Sequence, residues 1–139
     1  MIFLNLMVTD VPKSAQFYID TLGMRVQFYV DTDLKDHTHP PGPDADLILA
    51  SLQLEEAQLM LEKDSALANE LPHFANQKPN LSGTIYFRNT SVDDTRAKLT
   101  KSQIVKEPFT QWYGMRELYF YDPDGYTICV GEMDGPPPN

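Results

Sequence analysis

This chain of 139 residues is poor in three side chains that often carry chemistry: it has one cysteine, three histidines and one tryptophan. With Cys129 alone no internal disulfide can form, which agrees with a reducing compartment, and a chain of this length buries enough core to need no covalent staple. Bases are scarce as well, eleven Lys and Arg against twenty Asp and Glu, for a formal charge of −9. That balance argues against nucleic acid, whose binders neutralise phosphates with Lys and Arg. It suits a neutral or cationic small ligand, although an acidic surface also serves solubility by itself. Long apolar runs are missing. The opening MIFLNL lacks the basic start and sustained apolar stretch of a leader, and nothing in the chain is long and apolar enough to span a bilayer. The expectation is a cytoplasmic protein with no membrane or nucleic-acid partner.

What the chain does contain is one pattern written twice. Residues 3–8 run into Asp10 and a helical stretch at 11–22 closed by Gly23; residues 84–88 run into Ser91 and a helical stretch at 92–100. Asp10 and Ser91 are residues that cap a first turn, Pro12 is tolerated where no N–H donor is needed, and Gly23 can take the left-handed conformation after the last turn. Val11, Ala15, Tyr18 and Leu22 recur at helical spacing as a core-facing stripe, whereas Val92, Ala97 and Leu99 make a thinner one, so the second helix should be the more exposed. Met24, Val26, Phe28 and Val30 alternate with polar or aromatic neighbours, the mark of a strand with one buried face. Residues 47–54 and 57–62 read as a hairpin about Glu55 and Glu56; residues 116–121 and 126–132 flank DPDG at 122–125, a strong turn signal. The order βαβββ appears twice. The fold class is α+β, a single duplicated domain over 1–139 with module one at about 1–65, a connection at about 66–82 whose middle holds a short helix, module two at about 83–133, and a disordered Pro-rich tail at 134–139.

The segments VTDVPKS at 8–14, FY at 17–18 and LGM at 22–24, with WYGMRE at 112–117, DPDGY at 122–126 and GE at 131–132, resemble the vicinal oxygen chelate superfamily of glyoxalases, bleomycin-resistance proteins and extradiol dioxygenases. The resemblance implies two tandem βαβββ modules, a curved mixed sheet with a central cleft, and a homodimer. The enzymes of that superfamily hold a divalent metal from four positions. In this sequence those positions fall on Phe3, Met60, Thr84 and Cys129, with Glu62 replacing Met60 if the register slips by one pair. A phenyl ring, a thioether, a hydroxyl and a thiol are a poor set for a hard cation. The resemblance therefore implies a metal-free, cofactor-free binding protein similar to the bleomycin-resistance proteins. The alternative is a metal-dependent lyase or dioxygenase of the same superfamily.

Strand alternation then gives the candidate ligand-binding surface. Phe3 and Asn5 share a face with Met7; Thr84, Tyr86 and Arg88 share another with Cys129, Thr127 and Gly131; Met60 is joined by Gln58 and Glu62. Trp112 and Tyr113, in a stretch expected to be flexible, are placed to stack on a ligand. His37 and His39, with Asp33, Asp36, Asp44 and Asp46, form a polar loop better read as solvated than chelating, because a metal needs ligands on rigid supports. His73 reads as a surface residue, Cys129 as packing, and the pair Asp122 and Asp124 as turn formers.

Overall fold

A computed structural model describes residues 1–39 and 46–136. The chain divides into two compact units, Met1–Pro79 and Asn80–Asn139. The first runs β1 (Leu4–Val8), α1 (Val11–Leu22), β2 (Arg25–Asp31), β3 (Asp36–His37), β4 (Leu47–Leu54), β5 (Ala57–Lys63) and α2 (Asp64–Glu70). The second runs β6 (Ile85–Arg88), α3 (Val92–Ala97), β7 (Ile104–Thr110), β8 (Met115–Tyr121) and β9 (Thr127–Met133). Their sheets have the orders β1-β5-β4-β2-β3 and β6-β9-β8-β7. Apart from the short β3, the two orders are one topology: the module's first strand lies at an edge and pairs parallel with its last, and every other pairing is antiparallel. The α+β class and the repeated βαβββ pattern follow directly.

Local chemistry explains the elements. Asp10 accepts the Lys13 N–H at 3.0 Å at the head of α1, and Gly23 closes it at φ 71°, its N–H returning to the last turn. The stripe Val11, Ala15, Tyr18 and Leu22 is buried, and α1 packs on β4 and β5 over Leu6, Val8, Ala50, Leu52, Leu59 and Leu61. In the second unit Ser91 accepts the Asp94 N–H at 3.3 Å, and Val92 and Thr95 are the buried residues of α3. The turn at 122–125 is held by one carboxylate oxygen of Asp122, which accepts from the N–H groups of Asp124 and Tyr126, both at 2.9 Å, with Gly125 at φ 87°.

Several expectations are corrected. In β2 the alternation breaks at a bulge between Val26 and Phe28, so that Tyr29, opposite Ala50, is the buried residue, and not Phe28. α3 stops at Ala97, short of residue 100, because Thr100 caps a separate 3-10 turn by a reciprocal pair of bonds with Gln103. The helix of the connection begins at its start, as α2, and a 3-10 turn occupies 72–74. The stretch with Trp112 and Tyr113 is a tight turn, with Gly114 N–H on the Gln111 carbonyl at 2.9 Å and Gly114 at φ 83°. At residue 134 the Asp134 N–H meets the Gly114 carbonyl at 2.8 Å and its side chain accepts from Thr110. Residues 137–139, like Asp44 and the three prolines of the first loop, lie outside the described residues.

Candidate functional site

The second unit has two unlike sheet faces. On one, Leu118, Phe120, Ile128 and Val130 are buried beneath α3, whose first turn is fixed there by Val92 N–H on Glu132 Oε1 at 3.3 Å and Arg116 Nη1 on Asp93 Oδ1 at 2.9 Å. Among the described residues of this unit, the other face carries no helix. It is built from alternate residues of three adjacent strands: Tyr86 and Arg88 on β6, Cys129 and Gly131 on β9, and Met115, Glu117 and Tyr119 on β8. The register sets them in two rows, Tyr86, Cys129 and Tyr119 in one, and Arg88, Gly131 and Glu117 in the next.

Glu117 is the centre of this face and is completely buried. A carboxyl group so placed needs partners, since an unpaired polar group out of water costs several kcal/mol. It accepts from the hydroxyl of Tyr113, from the hydroxyl of Tyr119 at 3.1 Å, and from the thiol of Cys129 at 3.6 Å. The acid acts back on its donors. Tyr113 is pushed up to about 12, chiefly because its proton is held by Glu117. Burial raises the Tyr119 phenol further still, with Cys129 and Glu117 adding to it. Burial likewise pushes the Cys129 thiol up to about 12, so it is a packed, protonated donor and no nucleophile. Tyr86 is raised by burial first and by the nearby Glu117 second.

Gly131 has its own part. A Cβ there would come within 2.3 Å of the Tyr86 hydroxyl oxygen and 2.9 Å of its ring, so the phenol lies across the glycine, beside Glu117. Arg88 donates only to the Met115 sulfur, at 3.8 Å, among the described residues.

In the first unit polar side chains of adjacent strands are joined to one another. Asn5 Nδ2 donates to Glu62 Oε2 at 2.8 Å, with Met60 directly beside Asn5 in the register. Ser51 donates to Gln27 at 2.9 Å, and Gln27 donates to Gln53 at 2.9 Å. Phe3 and Thr84 each precede the first residue of a strand and are exposed.

Of the residues expected to bind a ligand, the second unit therefore brings Tyr86, Arg88 and Cys129 together and leaves Thr84 just before the strand. The first brings together Asn5, Met60 and Glu62, with Phe3 before its strand. Trp112 is 83% exposed at the tip of its turn, edge-on to Tyr113 at 5.3 Å between ring centres. Glu117, Tyr119, Gln27, Ser51 and Gln53 were not anticipated as site residues. Among the described residues of each unit, no three His, Cys, Asp or Glu side chains group so as to hold a metal. His37 is bonded to Asp31 at 2.6 Å and His73 stacks on Phe74 at 4.3 Å. The positions that the resemblance implies for a metal carry a phenyl ring and a thioether in the first unit, Phe3 and Met60, and a hydroxyl and a thiol in the second, Thr84 and Cys129, and neither pair suits a hard divalent cation.

The family model described as Glyoxalase/Bleomycin resistance protein/Dioxygenase superfamily matches residues 2–130. No curated protein matches the chain. Among solved structures, a hypothetical protein from S. aureus is 23% identical, with 95% of this chain and 92% of that one covered and a TM-score of 0.68. A glyoxalase/bleomycin resistance protein/dioxygenase family enzyme from Burkholderia phytofirmans PsJN is 11% identical over 94% and 96%, with a TM-score of 0.69. A lactoylglutathione lyase from Agrobacterium tumefaciens is 20% identical over 95% and 92%, with a TM-score of 0.61. At such identities these likenesses speak to the fold alone.

Proposed function

Because the chain belongs to the glyoxalase/bleomycin resistance protein/dioxygenase superfamily, we propose that it binds a small aromatic molecule bearing an amine, amidine or amide on the helix-free face of its second unit, without a metal. The observation that carries this reading is Glu117: a fully buried acid on the sheet face opposite α3, whose donors among the described residues are two phenols and a thiol. A core gains nothing from such a group that an apolar residue would not supply more cheaply, and a convergent polar group in an apolar, aromatic surface is what orients a bound ligand. The net charge of −9 supports a cationic or hydrogen-bond-donating ligand.

The geometry supports one mode of binding. An N–H of the ligand takes the place of the Tyr113 hydroxyl at Glu117, while Tyr119 and Cys129 keep the acid oriented from below. Tyr113 comes from a surface turn and can leave without disturbing a strand, carrying Trp112 towards the ligand's ring.

The test is a thermal-shift screen of aromatic amines, amidines and amides on the wild type and on Glu117→Gln. The glutamine keeps an acceptor oxygen for the phenols, so the variant folds with a loss of about 1–2 kcal/mol. Hits on the wild type that weaken tenfold or more in Glu117→Gln support the reading; hits indifferent to Glu117→Gln overturn it. Stoichiometric divalent metal in protein purified without chelator would instead favour the enzyme reading.

A further inference from the structure

We infer that Tyr86, held in place by Gly131, is the residue that selects the ligand, and that the ligand presents a hydrogen-bond acceptor next to its donor: a planar aromatic amide. This rests on the Glu117 reading and deepens it. Three phenols surround Glu117, and two of them spend their protons on it. The third, Tyr86, hydrogen-bonds nothing among the described residues and is 39% exposed, so its hydroxyl proton is uncommitted. It is not placed there by chance of rotamer alone. Only a residue without a Cβ lets the ring lie across the sheet at position 131, where the added carbon would stand 2.3 Å from the phenol oxygen. Gly131 is the direct cross-strand partner of both Glu117 and Arg88. Glu117 and Arg88 flank Gly131 from its two neighbouring strands, whereas the Tyr86 hydroxyl lies over Gly131 itself, so the acceptor Glu117 and the donor Tyr86 are about one strand spacing apart, roughly 5 Å.

A primary aromatic amide matches that pair, its N–H towards Glu117 and its carbonyl towards Tyr86 or Arg88. A purely cationic amidine meets Glu117 but offers the donors nothing. A ketone meets the donors but offers Glu117 nothing.

Three probes of nearly equal shape separate these cases: benzamide, benzamidine and acetophenone, titrated by the fluorescence of Trp112, the chain's single tryptophan. The wild type is expected to bind benzamide at least fivefold more tightly than acetophenone. Tyr86→Phe and Gly131→Ala are each expected to weaken benzamide about fivefold while leaving benzamidine within twofold. The alanine reaches only the far end of the Tyr86 side chain and Met115, so the fold is retained. Unchanged benzamide affinity in both variants overturns the role of Tyr86, as does an equal loss for benzamidine, which marks a merely structural effect. If none of the three probes binds the wild type, the Glu117 reading itself falls with it.

Discussion

Cys129 shows most sharply how a single residue takes its character from its neighbours. The family resemblance sets it where the superfamily's enzymes usually carry a metal ligand, but in the fold it is wholly buried between Tyr86 and Tyr119 and donates to Glu117. A thiol pushed up to about 12 stays protonated across the physiological range, and thiolate is the reactive form. Alkylation of Cys129 at pH 8 should therefore proceed no faster than global unfolding, and denaturant should accelerate it in step with loss of structure followed by circular dichroism; fast labelling of the native protein would contradict this burial. Glu117 is the residue that alternation alone left unplaced. Strand β8 offers two plausible faces, Arg116, Leu118 and Phe120 against Glu117, Tyr119 and Tyr121, and an acid among aromatics reads as solvent-facing. The missing step is the register that the turn at 122–125 imposes. Once that turn is taken as a tight hairpin, Tyr121 pairs with Thr127, Tyr119 with Cys129 and Glu117 with Gly131, and the face already assigned to Cys129 claims the acid too.

At the scale of elements the sequence was most readable where capping and periodicity agreed. Helix α1 has both, and its bounds and buried stripe are those expected; removing the cap by Asp10→Ala should cost about 1 kcal/mol, and Leu61→Ala, a fully buried position of β5 beneath the helix, about 2–5 kcal/mol, both read from urea denaturation. A cost for Leu61→Ala below that of Asp10→Ala would mean that the helix does not rest on β5. Legibility failed where one residue restarts the pattern. The bulge at 26–28 inverts the remainder of β2, and Thr100 diverts the chain from α3 into a new turn. Neither event changes composition, so no average over a window detects it.

For the molecule as a whole, titration summarises the site. The phenol of Tyr126 and the thiol of Cys129 are both pushed up to about 12, chiefly by burial, from ordinary values of about 10 and 8.5. Each neutral form is favoured by the folded state, so the stabilisation is complete below the ordinary value and is lost as pH rises through the raised one. Stability should hold to about pH 8.5 and then decline steadily towards pH 12 when read from urea denaturation; a stability unchanged between about pH 9 and pH 12 would refute it. The repeated topology also bears on how the protein is made. In each unit the opening strand, β1 or β6, finds its only sheet partner among the described residues in the closing strand, β5 or β9. As the polypeptide leaves the ribosome, β6 must therefore wait with both edges bare until β9 emerges, since its partner is the last strand of its unit to be translated. Slow codons or a chaperone acting between them would tune yield without altering the finished protein at all.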